Sequence, residues 1–432
     1  MGVLGLKKWL FFITFGFTAT IIAEEDSCIS CHLDQDEGEI LVEGFLSGIH
    51  ANKNIGCAGC HGGDPEAFDD EDEAMWDVDD FLSDITKHDQ LEMCGKCHSS
   101  PKYMMQFSAS IKTDQVSQYK TSKHGESLIS GNEKGAICTD CHSVHGVLSV
   151  DDPRSTVYPT NLPTTCGECH SNASYMEGTD LPTDQFEKYQ NSVHGKALLE
   201  HGDIGSPACN DCHGNHGATP PDISHVKDIC GTCHINNRDL FQNSHLFSAL
   251  AEGGFAQCSA CHNNHEIIKP DDTLLDWSDN SLCRQCHPEG GEAKLMADHF
   301  YNLIDSLKTS LDQAQNLVKA AEQKGMVVSD LLFDLDETRK TLIHTRTNIH
   351  SFNIDYVDSN AVAGFKAAQA AMMGANASLN EFGFRQKGLF LFSFIITFLV
   401  LVLGIKIKGL KIKRRGINLT QSDQRRMTRQ KH

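Results

Sequence analysis

Cys138-Thr139-Asp140-Cys141-His142, followed three residues on by His145, is one of nine copies of the pattern C-x-x-C-H in this chain. The others are Cys28-Cys31-His32, Cys57-Cys60-His61, Cys94-Cys97-His98, Cys166-Cys169-His170, Cys209-Cys212-His213, Cys230-Cys233-His234, Cys258-Cys261-His262 and Cys283-Cys286-His287. Together they use all 18 cysteines. Disulfides would stabilise a secreted chain without needing a histidine after each second cysteine. Paired C-x-x-C motifs hold zinc, but again the repeated histidine has no role. A thioredoxin-like pair occurs once, beside a βαβ pattern. With histidine at about one residue in twenty, nine histidines in nine such places arise by chance at a rate on the order of 10⁻¹². C-x-x-C-H is the attachment signature of c-type haem: both thiols become thioethers, and the adjacent histidine binds iron.

Composition then follows. The chain has 432 residues, 40% hydrophobic and 7% aromatic, a lean supply for a side-chain core. Nine haems between residue 24 and residue 293 leave about 30 residues for each, so packed macrocycles replace much of that core. The expected fold is mainly α with extensive loops: a haem-cored array, a C-terminal helical bundle and one transmembrane helix. A net charge of −21 argues against nucleic acid as a partner.

The motifs repeat as a lone haem followed by four pairs, each pair introduced by a histidine element. Unit two reads Tyr119-Lys120-Thr121-Ser122-Lys123-His124-Gly125, then the motifs at Cys138 and Cys166. Unit three reads Tyr189-Gln190-Asn191-Ser192-Val193-His194-Gly195, then those at Cys209 and Cys230. Unit four has Asn243-Ser244-His245, and unit one has Ser47-Gly48-Ile49-His50. Tandem repetition of one unit implies an extended row of modules.

On these nine motifs, the three C-x-x-C-H-x-x-H extensions and the S-x-H-G elements, the stretch from Cys28 to about Phe352 resembles the large multihaem c-type cytochromes of anaerobic respiration. The resemblance implies a periplasmic electron carrier, passing electrons between the quinone pool and soluble or outer-membrane acceptors.

A low-spin haem takes a second axial ligand. His50, His124, His194 and His245 recur in register with the pairs. His145, His216 and His265 each follow a motif histidine by three residues, too close to reach the far face of the same haem, so they are expected on a neighbouring iron. Two more are expected from His299, just past the last motif, and His350, on the helical segment beyond, with His88, His201, His225 and His344 as the other candidates. Unit one departs from the pattern: Gly62-Gly63-Asp64 stands where other units have the additional histidine, and ten acidic residues lie from Asp64 to Asp80. That insert reads as a solvated loop or a docking patch for a basic partner.

Lys7 and Lys8, then an apolar run from Trp9 to Ala23, read as a signal peptide, residues 1–23. Gly388–Ile405 is an uncharged apolar stretch of 18 residues, about 27 Å as a helix and enough to span a bilayer. The 27 residues from Lys406 carry ten Lys or Arg and one Asp, a net +9. Residues 1–23 add +2, which leaves −32 of the total −21 on residues 24–405. Positive charge stays inside, so a haem domain (24–292) and a helical stalk (293–387) are expected outside the cytoplasmic membrane, with 388–405 spanning it and 406–432 in the cytoplasm. The stalk is expected as three helices, marked by Leu303, Leu307, Leu311, Ala314 and Val318; by Leu331, Leu335, Leu342, Thr345 and Ile349; and by Val362, Phe365, Ala368, Met372 and Leu379. The expected function is electron transfer along nine covalently attached haems c, from a quinol-oxidising membrane partner to a periplasmic or outer-membrane redox protein, with no catalytic residue of its own. The alternative is a reductase or oxidase of a small nitrogen or sulfur compound, which needs one haem with an open coordination position.

Overall fold

The computed structural model describes residues 26–219, 225–279 and 281–429; the expected signal peptide lies outside them. Every regular element among the described residues is a helix. The chain divides into two compact units. One comprises the chain up to Ile235 together with Ala249–Pro270, and the other Asn236–Ser248 with Asp271–His432.

The first unit is built of short helices, the longest 12 residues, joined by long loops. Helix length is set by the motif. One turn over Cys138–His142 or Cys209–His213 puts both cysteines on one face and the histidine beside them. After the first motif of each pair the backbone enters the left-handed region at Gly62, Ser143, Gly214 and Asn263, with φ between 60 and 79°, and the helix stops. The side-chain cores are small and repeat. Leu91, Tyr119, Leu128 and Ile137 form one, and Leu162, Leu198 and Ala208, with Tyr189 beside them, form its counterpart one unit on.

The second unit is a three-helix bundle of Glu292–Gln323, Ser329–Asn348 and Ile354–Arg429. Gly325, at φ 72°, turns the chain between the first two. Its core is continuous, from Ile304, Leu307, Leu311, Ala314 and Val318 to Leu335, Leu342, Ala371 and Ala375. Two of the expected stripes shift. Ile304 is fully buried where Leu303 was expected, and Val362 is exposed. The third helix buries Ala368 as expected, and with it Ala361, Ala371 and Ala375, a face of small residues that lets its neighbours approach closely. At Gly364 an added Cβ would lie 2.8 Å from Thr341 Cβ. Leucine in place of Ala371 therefore has no room, and we expect it to lower stability by about 1–3 kcal/mol, read as a drop in the thermal midpoint of the bundle. Buried hydroxyls are satisfied locally: Thr338 Oγ1 donates to Asp334 O at 2.8 Å and Thr345 Oγ1 to Thr341 O at 2.8 Å.

The third helix does not end before the apolar stretch. It runs unbroken for 76 residues, about 114 Å, through the expected stalk, span and basic segment. No proline interrupts it, and the apolar side chains from Leu389 to Ile405 are exposed. This is a candidate single membrane span.

Candidate haem centres

Local chemistry fixes each histidine element. Ser122 caps the helix Lys123–Ile129, its Oγ accepting from Gly125 N at 3.0 Å, and Ser192 does the same for Gly195 N at 2.9 Å. The histidine thus sits on the first turn with its ring directed by the cap. Glycine follows because a Cβ at Gly125 or Gly195 would land on the carbonyl oxygen of Tyr119 or Tyr189. Those tyrosines anchor the turn: Tyr119 Oη donates to Ala136 O and Tyr189 Oη to Pro207 O, both at 2.8 Å. Burial pushes the Tyr119 phenol up to about 12, which keeps it a donor. Tyr189→Phe is expected to cost about 1 kcal/mol in thermal unfolding, the net worth of one such bond. On the motif side, Asp140 Oδ2 accepts from Ile137 N and Asp211 Oδ2 from Ala208 N, each at 2.8 Å, holding the motif turn at its start.

The imidazoles meet in pairs. His50 faces His98, His124 faces His170 and His194 faces His234, with ring centroids 6.1–6.2 Å apart. In each, a histidine element meets the second motif of its own unit. His61 faces His145 at 6.2 Å, His142 faces His216 at 6.2 Å and His213 faces His265 at 5.8 Å, the rings within 20° of parallel. Here the additional histidine of one unit meets the first motif of the unit before it. Backbone bonds hold the same link: Ile49 N donates to Val147 O at 2.7 Å and Val193 N to Ile267 O at 2.8 Å.

The distance is diagnostic. A transition metal sits about 2 Å from an imidazole nitrogen, so two rings ligating one ion from opposite sides have centroids about 6 Å apart. Burial pushes ten of these twelve imidazoles down, His142 to about 4, and so holds them in the neutral form that binds metal. His145 Nδ1 is buried without a hydrogen-bond partner.

The thiols run alongside. None of the 18 cysteines forms a disulfide. Four pairs of first cysteines, Cys28 with Cys57, Cys94 with Cys138, Cys166 with Cys209 and Cys230 with Cys258, lie within hydrogen-bond reach. Cys60 is also near Cys97, Cys141 near Cys166 and Cys212 near Cys230. Successive motifs are therefore neighbours from the first to the eighth. A cleft of ≈570 Å³, lined among others by Cys60, Leu91 and Val116, separates the second and third motifs, a size suited to a large flat cofactor. Among the described residues no three His, Cys, Asp or Glu side chains cluster to hold a bare ion, as a zinc site would require. Thiol pairs beside facing imidazoles fit haem c.

In the second unit, Arg346 binds Asp272 through Nε–Oδ1 at 2.8 Å and Nη2–Oδ2 at 2.7 Å. Leu275 packs on the bundle core, and Leu282 N donates to Leu274 O at 3.1 Å, tying the ninth motif to the bundle. His245 lies against Phe352, centroids 6.5 Å apart. His350 Nδ1 lies 2.9 Å from Thr347 O and 3.3 Å from Asn237 Nδ2, which fix the ring on the bundle. His299 is placed differently, with Nε2 2.7 Å from Asp358 Oδ1.

Residues 200–288 match the family model for cytochrome c3. The matched segment carries four complete motifs, those ending on His213, His234, His262 and His287. With the cysteine pattern, it supports a multihaem electron-transfer cytochrome with covalently bound c-type haem. Comparison with curated proteins and with solved structures finds no match.

Sequence reasoning identified the facing histidines but missed the direction of the cross-links. The signal was present: unit one lacks the additional histidine, and each such histidine serves the preceding unit.

Proposed function

We propose that this chain is a membrane-anchored nonahaem c-type cytochrome that carries electrons between a quinol-linked partner in the cytoplasmic membrane and a redox protein of the periplasm or outer membrane. The observation that carries the reading is the set of six imidazole pairs, each joining a motif histidine to a histidine of the repeat at 5.8–6.2 Å. The motif cysteines hold the macrocycles. His32, His61, His98, His142, His170, His213, His234, His262 and His287 are the proximal ligands. His50, His124, His145, His194, His216 and His265 would be the distal ligands, joined by His245 on register and by His350 on its place beyond the last motif. His299, whose Nε2 is engaged by Asp358, we assign to that hydrogen bond.

When bound, haem c supplies reversible one-electron chemistry between Fe(III) and Fe(II). The chain's part would be to offer neutral imidazoles in facing pairs to the irons they hold, which would keep those potentials below the potentials of His/Met sites. Localisation follows from charge: the basic segment after Ile405 favours the cytoplasmic side and the acidic body the exterior.

Intact mass and ferric EPR of the purified full-length protein test the reading. Nine covalent haems with predominantly low-spin signals are expected. Fewer attached haems, or an iron population mostly high-spin, would overturn it.

A further inference from the structure

The lone first motif belongs, by geometry, to the second-motif class. Its Cys28 touches Cys57 in the way that Cys94, Cys166 and Cys230, all from second motifs, touch the first cysteine of the next pair. Backbone conformation agrees. Leu33 continues the helix after His32, and Asp34 ends it at φ −81°, like Ser99 at −95° and Ser171 at −101°. First motifs instead turn into the left-handed region at that point.

Second-motif histidines are served from within their own unit, by a histidine element lying well before the pair: His50 for His98, His124 for His170, His194 for His234. Residues 1–27 contain no histidine. The same register explains Gly62-Gly63-Asp64. The additional histidine serves the first motif of the preceding unit, and the lone motif has no first-motif companion to be served. Of the described histidines, His145 lies in the neighbourhood of His32 but is stacked on His61 instead, and His88, His201, His225 and His344 are exposed.

The geometry points to an open sixth position on the haem held by Cys28, Cys31 and His32: a binding site for a small neutral ligand such as carbon monoxide or nitric oxide, at the end of the array and in contact with it through Cys57. Neutral ligands are favoured over anions because the acidic insert begins against this helix, with Ser27 N donating to Pro65 O at 2.8 Å and Ser27 Oγ to Asp64 O at 3.3 Å. The inference rests on the haem reading above.

The test uses the full-length holoprotein. Intact mass first counts the haems. Ferric EPR should then show a high-spin signal from one iron in nine, and the dithionite-reduced protein should bind one carbon monoxide per chain. Nine haems, all low-spin and inert to carbon monoxide, would overturn the inference and leave the electron-transfer reading standing; a shortfall of haems would instead count against that reading. Removing the first attachment site, Cys28→Ala with Cys31→Ala, should abolish both signals, and retained carbon monoxide binding would place the open site elsewhere. His32→Met, which keeps both thioethers, should shift the optical band of the carbon monoxide adduct. An unchanged band would also overturn the assignment.

Discussion

His216→Ala should convert one haem iron of the purified protein from low to high spin, seen as a new ferric EPR signal of one iron in nine and an added equivalent of carbon monoxide binding after reduction. His216 and His142 lie 6.2 Å apart with rings 8° from parallel, the geometry of two ligands through one iron. Alanine removes the distal nitrogen and leaves the proximal one, so the haem stays attached while its sixth position opens. The reduction potential of that centre should rise, because losing a nitrogen donor destabilises Fe(III) more than Fe(II). The change should fall on the haem of Cys138 and Cys141, in the unit before the substituted residue. His201→Ala, at an exposed position outside the pairs, should leave the EPR spectrum unaltered. If His216→Ala gave no high-spin iron, the ligand assignment would be wrong.

Gly195→Ala should be among the most damaging single-methyl additions in the chain. The new Cβ would fall on the Tyr189 carbonyl oxygen, with the Tyr189 carbonyl carbon 2.8 Å away. The obstacle is backbone, and that backbone is held because Tyr189 Oη is bonded to Pro207 and Ser192 caps the turn. We expect a loss of about 2–3 kcal/mol, the upper part of the range for overpacking, together with a perturbed low-spin signal from the centre between His194 and His234. Gly383→Ala is the contrast. It lies in the long helix with nothing near its added Cβ, and should gain about 0.5–1 kcal/mol from helix propensity. Thermal unfolding of the two variants side by side separates a steric role from a general intolerance of glycine replacement.

What could be read from the sequence follows the physics that fixes each feature. C-x-x-C-H stands out because covalent attachment tolerates no other residues at those places. His124 and His194 were legible because they keep register with the motifs. Their partners were not, since pairing within or between units depends on how loops fold over distances no local pattern encodes. The stalk's small-residue face escaped for another reason. The expected stripe included Ala368 but favoured bulky Val362, while close helix packing selects Ala361, Gly364 and Ala371. The junction of the third helix with the apolar stretch was invisible as a junction because the helix carries straight through it, with no proline between Ile354 and Arg429.

The backward-reaching histidines have a consequence for how such a chain matures. On the proposed ligand assignment, the centre at His61 would lack His145 until the next unit has been made, the one at His142 would wait for His216, and the one at His213 for His265. A chain emerging N-terminus first therefore closes its coordination one step behind its own synthesis, like a zip whose slider trails the leading edge. No single repeat can be cut out intact: severing between units two and three strands one centre without its lid and one histidine without its metal.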